Sequence, residues 1–353
     1  MKNLTVYAMT LAVLLGSAVS KSAPQDLSEV GDAENRDAYT VNLAFSKDAR
    51  TVREIRMVSG PSWGVRAISW DASKGKIRQV FDLGPDTKYF SSTSDGRFAV
   101  ISENADRSEK RVRLFLLDTE TGRTRDILSY WFDPEDHLPD ATISGDGRFV
   151  SIYSNSGPAE APRVVSVYNW RTRKLVARQA TGFSAGGFDS GGVTVDGKIE
   201  FTNNRTGTEI VDPRTGQSLL SYGPNSLRSP DGAWVVELAG YLHARERLET
   251  IVINGLDGKI LGKLDLNISD VLNISWSGVF CGTSGRFIAW NPDSVLAFDL
   301  RSRKQIASIP TETWRDKNLP ASPNLPPMAV GCSWTGKRVV IRSGARLTLH
   351  DLE

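Results

Sequence analysis

The sequence predicts an all-β protein, a seven-bladed β-propeller of four-stranded antiparallel blades, on three observations. A turn of the form (S/P)-D-G-(R/K), or a relaxed version of it, recurs at Ala49, Gly96, Gly147, Gly197, Gly232, Gly285 and Gly336. A second turn, an Asp or Asn four residues before a Gly or Arg, recurs at Asp71, Asp118, Asn169, Asp212, Asn254 and Asp299, with a truncated copy at Asp351. From first turn to second the distances are 22, 22, 22, 15, 22, 14 and 15 residues, a clustering that unrelated turns would not produce. Turns of this type reverse the chain because Gly tolerates positive φ and Asp or Asn folds its side-chain oxygen back onto the turn amides. Two strands therefore lie between the turns of each repeat and two outside them, and a repeat of about 40 to 50 residues with four short strands is a propeller blade.

Taken in order, residues 1–20 carry Lys2, an apolar run from Leu4 to Leu15 and the small residues Ala18, Val19 and Ser20. This is the pattern of a secretory signal peptide, too short to span a bilayer with ease. No apolar segment of 18 residues follows, so no membrane insertion is expected and the protein reads as exported, periplasmic or extracellular. Residues 21–37 are a polar lead-in. The closing LTLHDLE aligns with LFLLDTE of the second repeat and stops where a fourth strand should begin. An open sheet edge calls for a cover, and counting back from the first blade places one near Gln25 to Asp32. Residues 38–353 form the propeller itself, and no run of ten or more residues in them follows a helical period.

The repeats resemble WD40-like repeats in the broad sense that includes bacterial YVTN-type propellers, over roughly Tyr39 to Glu353. LAFSKDAR, LRSPDGAW and ISGDGRFV match the first-strand-and-turn consensus; LLDTETG and IVDPRTG match the third-strand-and-turn consensus. Only Trp70-Asp71 keeps a Trp-Asp pair, and the paired Gly-His of the family is missing. The resemblance implies a fold and a tendency toward partner binding, and no reaction.

With strands a to d running from the inside of a blade outward, Asp-Gly and Thr-Gly hairpins share one face. The b-to-c loops and d-to-a crossovers share the other. The long irregular segments all belong to the second face, and about seven extra loop residues are expected there in repeats one, two, three and five. Loops on a rigid scaffold are where function usually resides. Trp63, Trp131, Phe132, Phe183, Phe188 and Trp314 fall in them, where rings either grip a partner or plug gaps between blades. Seven residues before each first-turn anchor stand Asn42, Tyr89, Asp140, Ser190, Asn225, Gly278 and Ala329. If these ring the channel mouth, five polar side chains converge on a point that water, an ion or a small ligand could fill.

Other motifs carry less. GFSAG at 182–186 fits a nucleophile elbow, but the glycine-rich run after it cannot be the required helix. Asp133, Glu135, Asp136, His137 and Asp140 concentrate oxygen ligands, but Pro134 and Pro139 break the alternation of a calcium loop. His137, His243 and His350 lie in separate blades without zinc spacing. Cys281 and Cys332 both sit four residues before a turn glycine. Equivalent positions on neighbouring blades should lie well beyond the roughly 7 Å Cα separation a disulfide spans, so both read as small core fillers. HARER at 243–247, with Lys110, Arg111 and Arg113, reads as a solvated cluster or a dock for an acidic partner.

Forty-three basic and 41 acidic residues nearly cancel, which leaves no bulk field for nucleic acid or an anionic membrane. The expectation is a binding or scaffold propeller holding a protein, peptide or glycan on the long-loop face. Asn42, Tyr89, Trp131, Asp140, Ser190, Asn225 and Trp314 are its candidate contacts, with no catalytic residue, metal or cofactor assigned. The second class is a propeller enzyme, a lactonase-like hydrolase or lyase working at the channel mouth with or without a metal. Catalysis needs an acid, base or ligand set converging on one point, and Asp140 is the one obvious titratable member of the ring.

Overall fold

The computed structural model describes residues 25–27, 38–58, 63–106, 111–131, 140–154, 164–180, 189–203, 207–223, 226–238, 250–266, 277–291, 294–310 and 329–352. Every regular element among them is a strand. The first, β1 (Gln25–Asp26), stands apart from its sequence neighbours. Blade 1 is β2 (Ala38–Phe45), β3 (Thr51–Val58), β4 (Gly64–Asp71) and β5 (Lys76–Pro85); blade 2 is β6 (Thr87–Ser92), β7 (Phe98–Asp106), β8 (Arg111–Asp118) and β9 (Thr124–Trp131). Blade 3 is β10 (Asp140–Ile143), β11 (Phe149–Ser154), β12 (Val164–Asn169) and β13 (Lys174–Ala180); blade 4 is β14 (Asp189–Val193), β15 (Ile199–Asn203), β16 (Gly207–Val211) and β17 (Ser218–Tyr222). Blade 5 is β18 (Ser226–Arg228), β19 (Trp234–Glu237), β20 (Thr250–Asn254) and β21 (Ile260–Leu264); blade 6 is β22 (Ser277–Phe280), β23 (Arg286–Asn291), β24 (Ser294–Asp299) and β25 (Lys304–Ile309). Blade 7 holds β26 (Ala329–Cys332), β27 (Arg338–Ser343) and β28 (Arg346–Asp351), with β1 as its outermost strand. Each blade is a four-stranded antiparallel sheet, and first strands of successive blades approach one another around a ring that closes from β26 to β2. The molecule is a seven-bladed β-propeller.

Both turn motifs work as their residues dictate. Gly96, Gly147, Gly197, Gly232, Gly285 and Gly336 all have positive φ, and Ala49 adopts the same conformation at φ 57°. In five blades a Ser or Thr three residues before this position donates to the turn aspartate, as in Ser46 to Asp48 at 2.6 Å and Ser229 to Asp231 at 2.7 Å. In the second turn Asp71, Asp118, Asn169, Asp212, Asn254 and Asp299 accept backbone N–H groups two or three residues on. Each side chain substitutes for a turn hydrogen bond the backbone cannot make alone.

The core lies between blades. Val100, Leu114 and Leu116 of blade 2, for example, pack on Ala141, Ile143, Val150 and Ile152 of blade 3. Burial of each such side chain contributes roughly 1.5–3 kcal/mol. Arginines at the hairpin rim reach the next blade's first turn: Arg53 donates to the Asp95 carbonyl at 2.8 Å, Arg286 to Gly336 at 2.9 Å and Arg338 to Ala49 at 3.5 Å, and Arg148 likewise bonds the Val195 carbonyl. Between blades 7 and 1, Glu54 is fully buried and shared. Its Oε1 accepts from Thr40 Oγ1 at 2.6 Å and lies 3.0 Å from Arg56 Nε and 3.2 Å from Arg342 Nε. Its Oε2 accepts from Arg56 Nη2 at 3.0 Å and Trp70 Nε1 at 3.2 Å.

The outer edge of blade 7 is covered from the other end of the chain. Gln25 pairs with Leu349 and Asp26 with Thr348, and Leu27 N–H donates to the Leu347 carbonyl at 2.8 Å. Leu27 is fully buried among Leu43, Phe45, Trp70, Leu347 and Leu349. A segment with few strand formers holds its place because one leucine fills a hole in the core.

Two expectations are corrected. Cys281 and Cys332 are not free core fillers; they form a disulfide with a Cα separation of 5.1 Å. The assumed equivalence of the two positions fails by one residue. Cys281 N–H donates to the Arg286 carbonyl as Ser333 N–H donates to that of Arg338, so Cys281 corresponds to Ser333 and Cys332 is the residue before it. First strands of neighbouring blades also run closer than assumed: Ser91 Oγ donates to the Ala141 carbonyl at 3.2 Å, and Thr142 Oγ1 to that of Gly191 at 3.0 Å. The second correction concerns the extra residues of repeats one and two. They lengthen paired strands, with β3 on β4 running from Thr51↔Asp71 to Val58↔Gly64 and β7 on β8 from Phe98↔Asp118 to Asp106↔Arg111. Only residues 59–63 and 107–110 are left to connect them.

Candidate functional site

Antiparallel order puts the a-to-b and c-to-d hairpins at one rim and every b-to-c and d-to-a connection at the other. The connections that leave the second rim include 132–139, 155–163, 181–188, 238–249, 265–276 and 310–328. Over blades 1 and 2 this rim is raised by the long hairpins just described.

At the tip of the blade 1 hairpin stands Trp63, 49% exposed, edge-on to Tyr39, which is 39% exposed. Their ring centroids are 5.6 Å apart at an interplanar angle of 71°. Tyr39 lies near the start of β2 opposite Met57, and Trp63 immediately precedes Gly64, which pairs with Val58. Tyr39 is held by β2, and Trp63 is the last residue of the connection into β4, fixed on its C-terminal side by the Gly64 pairing. Sequence reading found Trp63 as a loop aromatic and missed Tyr39, whose signal was its place at the connection end of the innermost strand.

Six of the seven aligned inner-strand positions lie among the described residues. Asn42 and Tyr89 come together across the blade 1–2 boundary. Tyr89 packs against Ile101, Phe115 and their neighbours, and its hydroxyl donates to Ser92 Oγ at 3.3 Å. Burial pushes the phenol up to about 12, against the opposing influence of Ser92 and Asn42 beside it. The group stays protonated at neutral pH and can serve as a donor, not as a base. Asn42 Oδ1 is buried without a well-formed hydrogen bond. Asp140 is exposed at the start of β10 opposite Tyr153. Ser190 of β14 pairs with Thr202 of β15, and Gly278 and Ala329 pair with Ala289 and Arg342. Trp131 ends β9 opposite Arg111. Asn225 and Trp314 lie outside the described residues, as do GFSAG, HARER and the acidic loop up to Pro139.

Among the described residues no group of three His, Cys, Asp or Glu is placed to hold a metal ion. His350 is buried and bonded to Thr348 Oγ1 at 2.9 Å. Arg113, from the basic cluster, is already held by Asp126 at 2.7 Å and Glu103 at 3.0 Å and lies over the Phe115 ring. Against the desolvation that would lower it, these bonds raise its pKa, and the two carboxylates already balance its charge.

No protein-family model matches the chain, and no curated protein matches it.

Proposed function

We propose that this chain is an exported binding propeller of the WD40-like type that holds a protein, peptide or glycan on the rim of b-to-c and d-to-a connections. The observation that carries the reading is the Tyr39–Trp63 pair, two large rings presented to solvent at that rim, one from β2 and one from the residue that leads into β4. Rigid aromatic side chains supply contact area at low entropic cost and dominate binding energy at interfaces. Trp131 and Trp314 belong to connections of the same rim by sequence and extend the proposed surface. Export is supported by the signal-peptide pattern of residues 1–20 together with the Cys281–Cys332 disulfide, a bond that persists in oxidising compartments.

The test is comparative affinity capture from the native envelope, with wild-type bait beside Tyr39→Ala/Trp63→Ala and Trp131→Ala/Trp314→Ala baits of unchanged melting temperature. The reading expects one partner to be retained by wild type and lost from both variants. Equal capture by all three baits removes the rim from consideration. The second reading, a lactonase-like hydrolase or lyase at the channel mouth, draws on the buried, unbonded Asn42 Oδ1 beside Tyr89. Stoichiometric Ca²⁺ or Zn²⁺ in the purified protein would shift weight to it.

A further inference from the structure

The opposite rim, with its short hairpins, holds a cleft of about 420 Å³ between blades 1 and 2, lined by Thr51, Arg53, Ser69, Arg78, Gln79 and Glu120. Two guanidinium groups, those of Arg53 and Arg78, and one carboxylate, that of Glu120, are among its lining. Arg53 is 6% exposed, and its Nη1 makes the inter-blade bond to the Asp95 carbonyl at 2.8 Å. Its Nη2 stands 3.8 Å from the Glu120 carboxylate, beyond hydrogen-bond distance, and its Nε is buried with no partner. Glu120 is itself divided, with its carboxylate 3.6 Å from Arg97 Nε and its side chain open to solvent.

Nε and Nη2 form the edge of a guanidinium that grips two oxygens of a carboxylate or phosphate side by side. In Arg53 that edge is the unfilled one. A buried cation whose short bond goes to a neutral carbonyl loses solvation that the bond does not replace; desolvation lowers the Arg53 pKa, although the charges of Asp95, Glu120 and Asp118 oppose it. Arg78 adds a second, exposed guanidinium anchored by one bond from Nη1 to Thr51 Oγ1 at 3.1 Å. The Thr51 and Ser69 hydroxyls and the Gln79 amide supply neutral polar partners on the same walls. Bonding between blades accounts for one N–H of Arg53. It accounts neither for the open edge nor for the second arginine.

We propose that the blade 1–2 cleft binds a small ligand through an oxyanion group, carboxylate or phosphate, held by Arg53 and Arg78 in the place that the Glu120 carboxylate now half fills. The mature full chain is titrated calorimetrically with inorganic phosphate and, separately, with acetate, against sodium chloride at matched ionic strength. One-site saturable binding of either probe is expected, and the probe that binds tells phosphate from carboxylate. Arg78→Gln should weaken that binding on the order of tenfold, the value of one charge-assisted contact. Glu120→Gln should strengthen it, because the competing carboxylate is gone. Both side chains are exposed, so neither variant should disturb folding; Arg53→Lys, which keeps the charge and loses the fork, should weaken binding if its melting curve shows it folded. Failure of both probes to saturate overturns the proposal. So does an affinity unchanged in Arg78→Gln, or unchanged or weakened in Glu120→Gln.

Discussion

Replacing Cys281 and Cys332 by Ala together removes the one disulfide among the described residues, and the size of the effect follows from its place in the ring. The bond joins blade 6 to blade 7 and closes a loop with a sequence separation of 51 residues. Cross-linking a loop of that length removes about 4 kcal/mol of chain entropy from the unfolded state. Both cysteines are buried in the core between these blades, beside Ile288, Val295, Val330 and Val339, so two lost sulfurs add a small cavity term of the same sign. A chain of this size has an unfolding entropy of roughly 0.65 kcal/mol per degree, so a loss of about 4 kcal/mol corresponds to a melting temperature lower by about 6 °C. The assay is calorimetric melting of wild type, the double variant and wild type unfolded and refolded under reductant. Thiol titration of denatured, unreduced wild type should find no free thiol, and intact mass should show the loss of two hydrogens. Two free thiols in that sample would refute the pairing. A double variant that melts with wild type would refute the entropic argument while leaving the bond in place.

Three further outcomes are expected. Leu27→Ala should cost about 2–4 kcal/mol, because a fully buried leucine leaves the core between blades 7 and 1; deletion of residues 24–36 should lower the melting temperature by at least as much, both read by thermal unfolding. His350 titrates in the unfolded chain near 6.5 and in the fold only at about 4, because burial, with Arg346 adding to it and Asp351 opposing, disfavours the charged ring. The unfolded state therefore takes the proton first as pH falls, stability drops between about pH 6.5 and 4, and wild type should lose about 2 kcal/mol more than His350→Gln between pH 7.5 and 5 in denaturant titrations. Ala49→Gly should stabilise by up to about 1 kcal/mol, since Ala bears the cost of positive φ at a turn position where five other blades use Gly; a lower denaturant midpoint would contradict it.

The blade count and strand order were legible because they are written in turns, and turns are local. Asp-Gly at 95–96 or 146–147 needs positive φ wherever it stands, so periodic spacing translates directly into repeated hairpins. The cysteine pair was not legible, because the glycine of the blade 6 turn stands one position later than in blade 7, with Ser284 where blade 7 has Gly336, and a count back from Gly285 is therefore off by one. Strand and loop were likewise confused in repeats one and two. Residues such as Asn104 and Asp106 are poor strand formers, and β7 recruits them only because β8 pairs with it. The Arg53, Arg78 and Glu120 cleft was out of reach for a related reason. Glu120 belongs to the next blade, and only the angular packing of sheets brings its turn over the arginines of blade 1. Tyr39 and Trp63 meet across the β2–β3–β4 sheet, which alignment of single strands does not reveal.

Pairing of Gln25 with Leu349 has a consequence for how the protein is made. A ribosome delivers residue 25 long before residue 349, so β1 waits unmated until β28 has been made. Entropic cost grows only logarithmically with the span to be closed, about 0.6 kcal/mol for each doubling, so the delay affects timing far more than final stability. During that interval the nascent arc displays raw sheet edges at both extremities, and guarding them is work the cell must do before the circle can guard itself.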